Sequence, residues 1–187
     1  MSEVVFFLEE PSAQAMLEGL LPRIGLTLDR VRFVVFEGKS DLEKQIERKL
    51  RAWQTRDTRF VVLRDQDSGE CRVIKNGLVV KCQRAGRPTT LVRIACRELE
   101  SWYLGDLKAV DMALGLKNLV RHQETAKFRQ PDRLGSPSYE LRQLTSNRYQ
   151  KIAGSRAIGP HLSLTDNGSP SYRVFLSGVQ RVLAPTA

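Results

Sequence analysis

The chain has 187 residues, of which 41% are hydrophobic and 27% charged, and its 30 Lys and Arg against 21 Asp and Glu leave a net charge of +9. That is enough chain to bury one real core, and no apolar run approaches the roughly 20 residues that a membrane span requires. Three cysteines (Cys71, Cys82, Cys96) without C-x-x-C spacing and only two histidines (His122, His161) argue against a disulfide framework, a structural zinc site and a His-based triad. The opening Met1-Ser2-Glu3 lacks the basic start of a signal peptide, so the expected compartment is the reducing cytoplasm.

Val4 to Leu8, Val31 to Phe36 and Phe60 to Arg64 are short β-branched and aromatic runs, and Leu91 to Ala95 is a less pure fourth. Near-continuous apolar runs of this length suit strands covered on both faces of a parallel sheet. Between the first two, Met16, Leu17, Leu20, Leu21 and Ile24 form a helical stripe with Ser12 as its expected N-cap. Between the second and third, Leu42, Ile46, Leu50 and Trp53 do the same behind Ser40, with Glu43 placed to complete a capping box. The order β-α-β-α-β defines an α/β fold with right-handed crossovers.

Beyond Arg64, Cys71 to Asn76 is ambiguous, Leu78 to Cys82 is a candidate strand, and Gln83 to Pro88 reads as a basic turn. Glu98 to Tyr103 can start a helix. Asp106 can cap another over Leu107 to Leu114, with Gly115 as its stop. Residues 118–137 are polar and basic and read as loop. A last helix is expected behind Ser169 and Pro170, with Tyr172, Phe175, Leu176, Val179, Val182 and Leu183 as its packing seam.

Acids trail each of these strands: Glu9 and Glu10 the first, Glu37 the second, Asp65 and Asp67 the third, Glu98 and Glu100 the fourth. In open parallel sheets ligands gather outside the carboxyl ends of the strands, and crowded carboxylates cost free energy unless a cation compensates. Oxygen-only ligands at short spacing suit a hard cation such as Mg²⁺. Glu37 competes with Glu9 as the first acid of the set. Between Glu37 and Asp65 there is room for one helix and one strand, and between Glu9 and Asp65 for two of each.

A strand ending in Glu, a β-α-β-α-β run and then Asp65-Gln66-Asp67 resemble the Toprim fold of topoisomerases, primases and OLD-type nucleases. Leu8-Glu9-Glu10-Pro11-Ser12, the stretch Arg93 to Asp106 containing Glu98-Leu99-Glu100-Ser101-Trp102, and Tyr149-Gln150-Lys151 resemble more closely the DUF4276 family of Toprim-like proteins. The chain carries Glu9-Glu10 where the Toprim pattern has Glu-Gly. The resemblance implies a Toprim-like parallel sheet flanked by helices, with a mainly helical C-terminal extension. It implies a Mg²⁺ site, Mn²⁺ being the alternative, on Glu9, Asp65 and Asp67. It also marks Lys151 as the first candidate to hold a scissile phosphate; Lys39 and Arg64 follow by their places beside the strand ends, and Glu98 or Glu100 is expected to complete the site or take a proton from the attacking water.

Residues 107–187 carry 12 basic and 5 acidic side chains, a net of +7, whereas residues 1–106 carry +2. The expected division is therefore an α/β core with the acidic site over 1–106 and a basic, mainly helical portion over 107–187 packed on it, the latter suited to a polyanion. No P-loop or G-x-G-x-x-G is present. Cys71 and Cys96 are expected as small buried hydrophobes. The function expected is a Mg²⁺-dependent nuclease acting on DNA or RNA. Family context adds a separate ATPase partner in a defence or toxin-like module, and an oligomer is compatible with the sequence. The competing class is a non-catalytic nucleic-acid-binding or regulatory module that keeps the acids for structure.

Overall fold

The computed structural model describes residues 3–55 and 57–184. Strands β1 (Val4–Leu8), β2 (Val31–Val35), β3 (Arg59–Asp65) and β4 (Leu91–Ala95) form one parallel sheet in the order β2-β1-β3-β4. Alternate residues of the central strands serve opposite faces, which is why those strands read as unbroken apolar runs. Phe6, Leu8, Val61 and Leu63 enter one buried cluster, and Val5, Phe7, Phe60 and Val62 enter the other.

Helix α1 (Pro11–Leu20) covers the first of these faces through Met16, Leu17 and Leu20. Helices α2 (Lys39–Arg51) and α3 (Cys71–Arg84) cover the second through Leu42, Ile46, Leu50, Leu78 and Cys82. The segment with the candidate strand Leu78 to Cys82 is thus helical throughout. Its β-branched Val73, Val79 and Val80 favour a strand locally. Parallel β3 and β4 nevertheless need a crossover between them, and Cys71, Ile74, Leu78 and Cys82 repeat at helical spacing. Glu70 secures the start by accepting the N–H groups of Arg72 and Val73 at 3.0 and 2.8 Å.

Two expected caps are displaced. Helix α1 begins at Pro11 rather than behind Ser12, since proline at the first position surrenders only an N–H that would be unpaired. Helix α2 begins behind Gly38, whose φ of 91° turns the chain two residues early. Ser40 therefore lies inside the first turn, and Glu43 is free to meet Arg64 instead of closing a capping box.

The second half is helical: α4 (Glu100–Leu104), α5 (Leu107–Leu114), α6 (Pro137–Leu144), α7 (Lys151–Ile158) and α8 (Pro170–Leu183). As expected, Asp106 caps α5, with its Oδ1 accepting the Ala109 N–H at 3.0 Å, and Gly115 stops it in the left-handed region. Ser169 caps α8. The loop between α5 and α6 holds two short 3₁₀ turns. Helix α8 packs on β4, and α7 lies along α1, so Trp102, Tyr103, Leu107, Tyr149, Ile158, Tyr172 and Phe175 share one apolar cluster with β1 and β3.

The α1–α7 packing is close enough to exclude a methyl group. A Cβ on Gly159, just past α7, would run into the backbone carbonyl of Met16, which cannot swing away as a side chain could. Gly159→Ala is expected to cost about 2 kcal/mol or more, read as a lower midpoint of thermal or urea unfolding. An unchanged midpoint would contradict the packing of these two helices.

Candidate active site

Register brings the carboxyl ends of β1 and β3 together. Leu8 pairs with Leu63, and Asp65 pairs with Ala95 on the far side. Glu9 thus leaves β1 beside the last turn of β3, and its Oε2 accepts the Asp65 N–H at 3.0 Å. The β1–β3 border is also where the helices diverge, α1 to one face and α2 with α3 to the other. Such a switch point opens a crevice beyond the strand ends.

Asp65, the last residue of β3, stands at this switch point. It is 9% exposed. Burial, followed by the neighbouring charges of Glu100, Glu10 and Glu9, holds its carboxyl well above the ordinary aspartate range. Burial also raises Glu9, opposed by the hydrogen bond from Asp65 and reinforced by Asp67. Glu100 is 1% exposed and raised chiefly by burial, with Lys151 and Tyr149 acting the other way. Its Oε1 accepts from the Tyr149 hydroxyl at 2.9 Å, while its Oε2 is buried with no hydrogen-bond partner. Glu10 Oε1 is buried without a partner as well.

Three cations answer these acids. Lys151 Nζ stands 2.6 Å from Glu10 Oε2; burial works to lower its pKa, and Glu10, Glu100 and Asp65 outweigh that and raise it. Lys39 Nζ stands 2.8 Å from Asp67 Oδ2. Arg64, nearly buried, reaches Glu43 at 2.9 Å and Glu9 at 3.8 Å. Asp67 itself takes a left-handed φ of 55°, held there by its N–H bond to the Arg97 carbonyl at 2.7 Å.

Of the residues singled out from the sequence, the structure gathers Glu9, Glu100 and Lys151 near Asp65, with Asp67 beside Glu9. Glu98 is turned elsewhere: its Oε2 accepts the Ser138 N–H at 2.6 Å and so anchors the first turn of α6. Glu10 was visible as the second acid after β1, but adjacency alone does not reveal that it faces Asp65. Tyr149 carries no chemical signal in sequence beyond its place in Tyr-Gln-Lys. In the fold it is buried, bonded to Glu100 and 3.3 Å from Ser155 Oγ. Cys71 and Cys96, expected as small buried hydrophobes, are only half-buried, whereas Cys82 is buried in the core.

Could these residues hold a hard cation? The donors are all carboxylate oxygens, the set that Mg²⁺ or Mn²⁺ prefers, and two buried carboxylate oxygens lack any partner. Among the described residues no three His, Cys, Asp or Glu side chains are already arranged as a ligand set. Lys39 and Lys151 occupy the places where positive charge is needed. The donor chemistry fits, with Asp67 paired to Lys39.

A four-stranded parallel sheet flanked by helices, with Glu after β1 and Asp-x-Asp at the end of β3, is a Toprim-like α/β fold. The model of the family described as "Domain of unknown function (DUF4276)" matches residues 8–180, and the chain belongs to that family. No curated protein matches. Among solved structures, the C-terminal region of the Burkholderia pseudomallei OLD protein is similar over 98% of this chain and 100% of that one, at 16% identity and a TM-score of 0.57. The C-terminal region of the Xanthomonas campestris pv. campestris OLD protein, in its platinum-phased structure, is similar over 96% of this chain and 93% of that one, at 16% identity and a TM-score of 0.53. Among the described residues no helix is long and apolar enough to cross a membrane.

Proposed function

We propose that the protein is a nuclease that hydrolyses phosphodiester bonds in DNA or RNA with Mg²⁺, or Mn²⁺ in its place. The observation that carries this reading is the packing of Glu9, Glu10 and Glu100 around a buried Asp65. Such an arrangement costs folding free energy and is explained by a positively charged ligand it exists to receive. Glu9, Asp65 and Asp67 would hold the cation, with Glu100 beside them. A bound divalent cation supplies a water of lowered pKa and draws charge from the phosphoryl oxygens. Lys151, moving from Glu10, would bind and orient the scissile phosphate. Tyr149 would keep Glu100 pointed at the site, and Glu98, nearby but bonded to α6, would steady the wall from behind. The basic 107–187 portion would hold the polyanion against the Toprim-like core of 1–106. The family resemblance supports a cytoplasmic effector working with a separate ATPase in a defence or toxin-like module.

Incubation of plasmid, single-stranded DNA and total tRNA with the protein tests this. Cleavage is expected with Mg²⁺ or Mn²⁺ and absent with EDTA. A second reading draws on the ion pairs Lys39–Asp67 and Lys151–Glu10, which neutralise two of the acids without a metal: a non-catalytic nucleic-acid binder. Such a protein would bind with a steep salt dependence, cleave nothing, and be indifferent to loss of Asp65.

Lys39 competes with a cation for Asp67. Lys39→Ala is accordingly expected to tighten Mn²⁺ binding roughly two- to fivefold, the scale of an exposed ion pair, as measured by calorimetry. Weaker binding would place Asp67 outside the ligand set.

A further inference from the structure

On the flank of the sheet away from Lys39, the exits of β3 and β4 are laced together. Gln66 N–H bonds the Ala95 carbonyl at 2.9 Å, Asp67 N–H bonds the Arg97 carbonyl at 2.7 Å, and Arg97 N–H bonds Gln66 Oε1 at 3.1 Å. Each of the two segments carries a cysteine: Cys71 is the first residue of α3, and Cys96 is the first residue after β4. The two thiols are near enough that Cys71 adds to the forces raising the Cys96 pKa. Both line one mostly apolar cavity of about 260 Å³ with Ile94, Ser171 and Val174. Both are half-buried, within reach of a small solute, whereas Cys82 is shut in the core beneath α3.

We propose that Cys71 and Cys96 are a modification site, a dithiol that a peroxide converts to a disulfide, pinning the start of α3 to the exit of β4 beside the Asp65–Asp67 loop. The Cys71 sulfur attacks one peroxide oxygen, the O–O bond breaks, and water leaves a sulfenic acid. The Cys96 sulfur then displaces that hydroxyl, which departs with the Cys96 proton as a second water, and the S–S bond forms. Two thiols are oxidised by two electrons and one peroxide is reduced to two waters. Burial pushes the Cys96 thiol up to about 12, which leaves the first attack to Cys71 at the rim of its helix.

The site is independent of the nuclease reading, and so is its test. The full chain, reduced and then exposed to hydrogen peroxide, is alkylated and mapped without reduction. The expected product is a monomer in which only Cys82 is alkylated, with a peptide linking Cys71 to Cys96 that dithiothreitol releases. Cys71→Ser and Cys96→Ser should each fold with an unchanged melting temperature and yield no such link. Amide exchange over residues 66–70 should slow on oxidation of the wild type alone. Alkylation of all three cysteines after peroxide, a link through Cys82 or between two chains, or oxidation that stops at sulfinic acid would each overturn the proposal. A link without slower exchange would overturn the pinning.

Discussion

Asp65→Ala is expected to lower metal-dependent cleavage by on the order of 10³-fold, the scale of losing a principal metal ligand in a phosphoryl-transfer site. Asp65 is the residue to change because the others converge on it: its N–H fixes Glu9, and its carboxyl lies among Glu9, Glu10 and Glu100. Cleavage by the variant at the wild-type rate would sink both the site and the mechanism. The same residue makes a second, activity-free statement. Its folded pKa is raised above the unfolded value by burial and by its acidic neighbours. Below the unfolded pKa both states are protonated and Asp65 contributes nothing. As pH rises from the unfolded pKa to the folded one, the unfolded chain ionises while the buried carboxyl stays protonated, so stability falls across that window and the loss is complete above the folded pKa. Asp65→Asn is therefore expected to raise metal-free stability by about 1 kcal/mol or more at neutral pH, and the gain should shrink as pH falls toward 4. Mg²⁺ should stabilise the wild type and not the variant. A stabilising effect of Mg²⁺ on both would put the cation elsewhere.

Trp102→Ala is expected to give the largest loss of stability, about 3–5 kcal/mol, or roughly 10 °C in melting temperature for a chain of this size. Trp102 is fully buried, its ring 4.8 Å from Phe175 and 5.4 Å from Tyr172, and its Nε1 donates to Ser171 Oγ at 2.9 Å. Its carbonyl also accepts from Asn167 Nδ2 at 2.9 Å, so one residue ties α4 to the loop before α8 and to α8 itself. Trp102→Phe keeps most of the ring and should lose about 1 kcal/mol through the missing hydrogen bond, plus a smaller packing term. Glu100 shares the five-residue α4 with Trp102, so site and core should loosen together in the alanine variant. A melting point within a degree or two of wild type would mean that α8 does not depend on this contact.

What could be read in advance follows from which interactions are local. The sheet strands announce themselves because strands buried on both faces are continuously apolar, and the spacing from Glu9 to Asp65 counts out two helices and two strands. Ser169-Pro170 and Asp106 through Gly115 mark helix ends through bonds made within four residues. Cys71 to Arg84 resisted that treatment, because its β-branched residues and Gly77 oppose the helix that the crossover requires. Ser12 and Ser40 are good caps by type, overridden by Pro11 beside the one and by Gly38, at a φ of 91°, two residues before the other.

The candidate site divides the same way. Glu9, Asp65 and Asp67 are legible because each lies within two residues of a strand end, and strand direction alone places them at one edge. Whether Glu98 or Glu100 joins them depends on α6, which takes Glu98 for its own first turn some 40 residues away in sequence. Lys151 was marked only by resemblance, and its partner Glu10 could not be named from spacing, because α7 meets α1 solely through tertiary packing. The sequence by itself determined the α/β pattern, the sign of the charge at the strand ends and the basic second half. The tertiary structure alone decided which acids are buried together, which cations face them and how close the two half-buried cysteines come, because these pairings join side chains from elements distant in the chain, and their energies depend on burial that no local pattern records.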